Sequence, residues 1–313
     1  MSAPRVIHTA QALVDEVVEI PGLPARGQNA MASSYTRYAA SACNILLAAA
    51  RSGAQGVLAG SVGTGLNADL IREALAAEGV TISSQPVTDA DTGVCFVMIE
   101  PSAERTFVTT QGAERRISVD SLATSAPVPG DLVCVSGYSL IGATRDPLLT
   151  WLEGLPDGVE VIFDPGAVFA GLPTPIRERM LALTTVWSSN AEEASQLTGW
   201  TGMEETAEAV ATRLRPGAVV IVRDGRKGCV VREGDTTTAL RGHPQTPVDT
   251  NGAGDAHTGI LVAGRAAGLG WVEAARRANA GAAIKVTRRG PNTAPTAAEI
   301  DDFLATEGAR QLG

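Results

Sequence analysis

Asp249-Thr250-Asn251-Gly252-Ala253-Gly254-Asp255 is a glycine-rich turn that ends in a carboxylate. The small apolar run Ile260-Leu261-Val262-Ala263-Gly264 follows and reads as a helix. A turn placed there exposes main-chain N–H groups at a helix N-terminus, where anions are favoured. Gly252 and Gly254 carry no Cβ, so a phosphate can approach the backbone closely. Asp255 stands where a carboxylate can take a proton from an attacking hydroxyl. An anion cradle beside a base is the minimal equipment for phosphoryl transfer. Alone, the same residues also describe an ordinary tight turn with an aspartate cap, so the rest of the chain has to decide.

The elements that must position this turn alternate between strand and helix. Short apolar strands are expected at 56–60, 131–137, 159–164, 185–189 and 218–222, with helices at 67–78, 204–214 and 273–286 between or after them. That rhythm implies a mainly parallel, doubly wound α/β sheet. Ligands collect beyond the C-terminal strand ends of such sheets. Segments 13–20, 92–99 and 105–109 break the rhythm and read as strands of a small flap without intervening helices. One domain over 1–313 is expected, with a β-lid formed by about 13–38 and 90–112.

Composition excludes several classes. At 313 residues the chain can bury a large core, and 44% hydrophobic with 19% charged residues is an ordinary globular balance. A net charge of −9 argues against a nucleic-acid-binding surface. The four cysteines, at 43, 95, 134 and 229, form no C-x-x-C pair and read as buried free thiols. No signal peptide or bilayer-spanning run is apparent, which gives a cytoplasmic expectation with no membrane partner. His8 and His257 show no metal-ligand spacing and read as packing residues.

The 249–259 segment resembles the C-terminal signature of the PfkB, or ribokinase-like, carbohydrate kinases. Further matches run along nearly the whole chain. Ala12-Leu13-Val14-Asp15 resembles the family's first strand, ending in a sugar-binding aspartate. Asn44 sits where the family places a substrate-contacting asparagine. Asn190-Ala191-Glu192-Glu193 resembles the N-x-x-E motif that organises Mg²⁺ and phosphate. Arg223 to Gly228 resembles the glycine loop along the nucleotide, which assigns cofactor contacts to Arg223, Gly225 and Gly228. Asn279 and Ala283 fall on the helix that borders adenine. Lys285 to Gly290 resembles the segment that closes the adenine site and a monovalent-cation site.

The resemblance implies a three-layer ribokinase-like α/β/α fold and an ATP-dependent kinase acting on a hydroxyl of a small sugar or sugar-like molecule. It makes Asp255 the base, Gly252, Ala253 and Gly254 the anion hole, and Asp15 and Asn44 the substrate contacts. Mg²⁺ would be held through water by Glu193. A monovalent cation, K⁺, would be held by the Asp249 side chain and by carbonyls of Asn251, Lys285, Arg288 and Gly290. A homodimer through the β-lid is implied as well, since exposed flap edges need cover.

The chain departs from the family pattern at several places. Ala39-Ala40 replaces a glycine pair tied to flap movement, which puts the hinge in question. Ala10 replaces a common glycine, and Thr64-Gly65 replaces an acidic pair. Asp164-Pro165-Gly166 has lost an asparagine, and Arg223 stands where a small hydroxyl residue is usual. All but Arg223 lie on the substrate side. The rival readings are a nucleoside kinase of the same fold and a binding relative without chemistry. Gly60-Ser61-Val62-Gly63-Thr64-Gly65 lacks the dinucleotide spacing, which sets aside a nicotinamide enzyme.

Overall fold

The computed structural model describes residues 3–102 and 104–312. Its strands are β1 (Arg5–His8), β2 (Ala12–Glu19), β3 (Ser34–Ser41), β4 (Gln55–Leu58), β5 (Thr81–Ile82), β6 (Val94–Ile99), β7 (Arg105–Thr109), β8 (Leu132–Ser136), β9 (Glu160–Asp164), β10 (Val186–Asn190), β11 (Val219–Arg223), β12 (Gly228–Glu233) and β13 (Thr236–Arg241). The α-helices are α1 (Ala42–Arg51), α2 (Leu66–Ala77), α3 (Val119–Ala123), α4 (Arg145–Glu153), α5 (Thr174–Leu183), α6 (Ala191–Thr198), α7 (Met203–Ala211), α8 (Ala253–Ala266), α9 (Trp271–Lys285) and α10 (Ala297–Leu312).

Nine strands form the main sheet in the order β13-β12-β11-β10-β9-β8-β1-β4-β5. Every pairing from β5 to β11 is parallel, and only the β11-β12-β13 edge is antiparallel. Successive strand residues point to opposite faces, and the core divides accordingly. Val6, Leu132, Ile162 and Ile221 pack toward α1, α8 and α9. Ile7, Val133, Phe163 and Val220 pack on the other side with residues of α4, α5 and α7. Phe163, Phe169 and Trp187 meet there edge to face, with centroids 4.8 to 5.9 Å apart. Strands buried on both faces read as continuous apolar runs, which is why these strands were visible in the sequence. The β12-β13 hairpin was not: Thr236-Thr237-Thr238 is polar, and β13 lies at the sheet edge.

A second sheet has the order β3-β2-β6-β7, with β2 and β6 parallel and the outer pairs antiparallel. Two expectations change here. The first strand of the chain is Arg5–His8 in the main sheet, whereas Asp15 is the fourth residue of the eight-residue β2 in the small sheet. The alanine pair also needs no glycine-like backbone. Ala39 and Ala40 are buried β3 residues opposite Val14 and Leu13. The unusual backbone falls one residue later, at Ser41 (φ 60°, ψ −121°), where β3 turns into α1.

Small-sheet side chains tie to the rest of the molecule. Arg105 donates to Thr250 Oγ1 at 3.0 Å. Arg37 bonds Asn67, and Arg289 pairs with Glu19. Tyr38 lies against Gly290, where an added Cβ would come within 2.9 Å of its ring.

Candidate active site

The parallel strand ends open on a cavity of about 810 Å³. His8, Ser136, Asp164, Asn190 and Arg223 wall it from β1, β8, β9, β10 and β11, and the first turn of α8 forms another side. Ten residues singled out in the sequence line it: Asn190, Glu193, Arg223, Gly225, Gly228, Ala253, Gly254, Asp255, Asn279 and Ala283.

The α8 turn is fixed by its glycine. Gly252 caps the helix with φ 75°, and a Cβ there would meet the Pro291 carbonyl oxygen at 2.4 Å. No L-residue with a side chain fits without strain. Ala253 N donates to Thr250 O at 3.3 Å and Ala256 N to Gly252 O at 2.8 Å. The N–H groups of Gly254 and Asp255 remain as the orphan donors of this turn. The anion-binding donors therefore sit one residue further along than 252–254.

Asp255 is half-buried beneath this turn, and its Oδ2 accepts from Asn44 Nδ2 at 2.8 Å. Burial raises its pKa to about 6, and the Asp164 charge adds to the rise. Asn44, Arg223 and Lys285 oppose it. Asp15 faces the same region. Burial and then the Asp255 charge push its pKa up to about 7, against a hydrogen bond from Asn251. Two carboxylates that resist joint ionisation are a natural grip for hydroxyls, which donate to whichever oxygen is charged. Asn44 Oδ1 is buried without a partner. Neither Asp15 nor Asn44 borders the main cavity; both address it through Asp255.

Across the cavity, Asn190 and Glu193 form a reciprocal helix cap. Glu193 Oε2 accepts from Asn190 N at 2.9 Å, and Asn190 Oδ1 accepts from Glu193 N at 2.7 Å. The capping reading of this motif is thus correct, and it leaves Glu193 Oε1 outside the cap. Burial and the Asp164 charge raise the Glu193 pKa, while Arg223 lowers it. Asp164 and Glu193 are hard oxygen donors at strand ends on the cavity wall, a set that suits Mg²⁺. Among the described residues no three His, Cys, Asp or Glu side chains cluster as a closed metal cage.

Arg223 braces the middle. Its Nε donates to Ser189 O at 3.2 Å, and Nη1 donates to Gly254 O and Thr258 Oγ1, each at 2.9 Å. Nη2 pairs with Asp164 Oδ2 at 3.4 Å. Sequence reasoning missed Asp164 and Thr258 as parts of the site. Asp164 ends β9, so the strand-end rule could have found it; Thr258 carries no such signal.

Asn279 is occupied. Its Nδ2 donates to the Leu240 and Arg241 carbonyls at 3.5 and 3.2 Å, and Oδ1 meets His257 Nε2 at 3.1 Å. It fastens the β12-β13 hairpin rather than offering polar atoms to a base. His257 and His8 are buried, and desolvation lowers both pKa values to about 3, so both rings are neutral.

The expected monovalent-cation ligands are largely engaged with one another. Asp249 Oδ1 accepts from Asn251 N at 2.8 Å and Oδ2 from Gly290 N at 2.9 Å. The Lys285 carbonyl accepts from Arg288 N, and the Gly290 carbonyl from Thr293 Oγ1. The Asp249 carbonyl accepts from the Lys285 ammonium at 2.9 Å. The Asn251 and Arg288 carbonyls accept no hydrogen bond among the described residues, so they stay open to a cation.

Comparison with known proteins agrees with this geometry. The family model described as pfkB family carbohydrate kinase matches residues 13–298. The chain is 31% identical over 298 residues to the uncharacterized sugar kinase YegV of Escherichia coli K12, covering 94% of this chain and 92% of that one. It is similar to the ribokinase of Arabidopsis thaliana solved with ribose and ATP, at 26% identity and a TM-score of 0.80, covering 97% and 99% of the two chains. The fold also matches a Burkholderia thailandensis nucleoside kinase solved with inosine, at 23% identity and a TM-score of 0.77, over 97% of each chain. A parallel sheet ending on a glycine-capped carboxylate and a match along nearly the whole chain lead to one conclusion: the chain belongs to the pfkB family of carbohydrate kinases.

Proposed function

We propose that this kinase transfers the terminal phosphoryl group of ATP to a hydroxyl of a small sugar or sugar-like molecule, with Asp255 as the base. One observation carries the reading: the Asp255 carboxylate, steadied by Asn44, lies on a helix turn with free N–H donors at the edge of a large cavity. The acceptor oxygen forms a bond to phosphorus while the bond from phosphorus to the bridging oxygen of ADP breaks. The acceptor proton passes to Asp255, and ADP leaves. Gly254 and Asp255 N–H groups, with the Gly252 cap holding the turn, meet the charge on the transferring group. Asp15 and Asn44 orient the acceptor. Gly225, Gly228 and Ala283 give the nucleotide close, flat walls. Asn190, Glu193 and Asp164 would hold Mg²⁺, which supplies positive charge to the phosphates when bound.

The small sheet acts as a lid in this reading. Tyr35, Phe96 and Val108 are exposed on it, and Phe96 and Val108 are direct cross-strand partners. Apolar side chains on an open flap support a homodimer through the lid. Light scattering that finds a monomer at working concentration rejects that assembly.

An ATP-consumption screen over pentoses, hexoses, sugar acids and nucleosides tests the function. Turnover with a sugar and not with nucleosides is expected. Turnover confined to nucleosides would replace the sugar reading with the nucleoside one, and ATP consumption with no acceptor would remove both.

A further inference from the structure

Arg223 is the last residue of β11, so its guanidinium stands at the strand ends beside the glycine turn, in the cavity wall. We propose that Arg223 is a further catalytic residue: its Nη2 edge binds the terminal phosphoryl group of the nucleotide during transfer, as a cation built into the wall. The assignment rests on the phosphotransfer reading and adds to it a charge that the glycine turn does not supply.

A guanidinium carries five N–H donors. Three are spent on well-formed bonds: Nε to the Ser189 carbonyl at 3.2 Å, and Nη1 to the Gly254 carbonyl and to Thr258 Oγ1 at 2.9 Å each. These acceptors are all neutral and come from β10 and α8. They fix the plane of the group without answering its charge. Nη2 keeps the other two donors. Its one contact among the described residues, Asp164 Oδ2, lies 3.4 Å away. A charge-assisted pair is shorter, at about 2.7–2.9 Å, and an arginine built to grip a carboxylate takes it with two parallel bonds. Here the contact is single and long. The side chain is only 11% exposed, and a cation so enclosed is costly unless an anion answers it. Neutral oxygens hold this one still and leave its charged edge to the cavity.

That edge borders the anion-binding turn. A Cβ built on Gly254 would lie 3.6 Å from Nη1 and 4.0 Å from Nη2. The guanidinium also stands between the base and the carboxylates across the cavity. Burial raises the pKa values of Asp255 and Glu193, and the Arg223 charge opposes the rise in both. A phosphoryl group seated against the N–H donors of Gly254 and Asp255 therefore lies beside Nη2. Charge on its oxygens meets a cation already in position, which needs no reorganisation as the bond to ADP breaks. Arg223 forms no covalent bond and gives up no proton. Its part is electrostatic.

The test must separate this contact from simple bracing of α8 against β10. Isothermal titration of the full chain with MgADP, and with the magnesium complex of β,γ-methylene-ATP, reads the terminal phosphoryl group without turnover. Wild type should prefer the ATP analogue by about tenfold or more. Arg223→Ala should bind MgADP within about threefold of wild type and lose that preference. Its kcat, with the acceptor that the ATP-consumption screen selects, should fall about a hundredfold. Guanidinium chloride well below denaturing concentration should restore part of that loss in Arg223→Ala and none in wild type. Arg223→Lys, which keeps the charge without the fork, should fall between the two in both preference and kcat. An equal loss of affinity for both nucleotides would show a brace alone and overturn the assignment, as would an Arg223→Ala protein that keeps its preference for the analogue. If Arg223→Ala does not fold, the same split in Arg223→Lys decides. A wild-type chain that binds neither nucleotide would remove the kinase reading and this contact with it, whereas binding with no preference for the analogue would remove the contact alone.

Discussion

The two sides of the cavity are built by different means. The phosphoryl side is made of backbone: a glycine cap against Pro291, orphan N–H groups, and carbonyls that hold Arg223 and Lys285. The acceptor side is made of side chains on two sheets: Asp15 from the lid strand β2, Asn44 from α1 and Asp255 between them. Backbone geometry tolerates almost no substitution, whereas side-chain sites can be retuned one residue at a time. A family that keeps one reaction and changes its acceptor would vary the second side and hold the first. The departures from the family pattern follow that division, with Ala10, Ala39 and Ala40 on the acceptor side.

Changes on the phosphoryl side should therefore cost turnover, and changes on the acceptor side should shift pH response or stability. The largest effect is expected for Asp255→Asn. Loss of the base should lower kcat about a thousandfold with nucleotide affinity within threefold of wild type. Steady-state kinetics with isothermal titration of MgADP checks both, and near-wild-type kcat would break the comparison at its centre. Gly252→Ala comes next. The Cβ clash and the positive φ should cost about 2 kcal/mol in denaturant unfolding and reduce kcat about tenfold. Ala39→Gly on the lid side should leave kcat within threefold by the same assay.

Asp15 supplies the pH arm of the comparison. Its folded pKa, about 7, lies above the ordinary carboxylate value of 3.8. The native state thus binds this proton more tightly than the unfolded chain, and stability falls as pH rises from about 4 through 7. Asp15→Asn removes the buried charge, so it should raise Tm at pH 8 and leave it nearly unchanged at pH 4. Differential scanning calorimetry at the two pH values reads this directly; an equal gain at both would show that charge is not the cause. The smallest effect is expected for Ser41→Gly. Relief of the φ 60° backbone should offset its added unfolded-state entropy and stabilise by about 1 kcal/mol. Urea unfolding measures it, and a loss of stability would show that the lid junction is not strained.

The same division explains what the sequence made legible. Strands buried on both faces carry their signal in runs such as Leu132-Val133-Cys134-Val135, so the main sheet was readable before its order was known. The glycine turn at 252–254 was readable because only a few residue types satisfy that backbone. The state of Asn279 and Lys285 was not. Whether an amide faces a base or a hairpin carbonyl, and whether a lysine offers its carbonyl or its amine, depends on which distant segment packs beside it. Arg241 and Asp249 lie more than thirty positions away from those two residues, and no local pattern encodes the meeting. Asp15 was identified but placed in the wrong strand, because β1 and β2 are both short apolar runs separated by only three residues.

The place of β1 in the sheet has a consequence for biosynthesis. Arg5–His8 is made first, yet it lies between β4 and β8, and its second neighbour begins at Leu132. The pocket wall then continues through β11 and closes with α8. A nascent chain released early has no working half of this enzyme. Nucleotide cannot be spent by unfinished molecules, because the last helix to emerge with the base is also the one that completes the vessel.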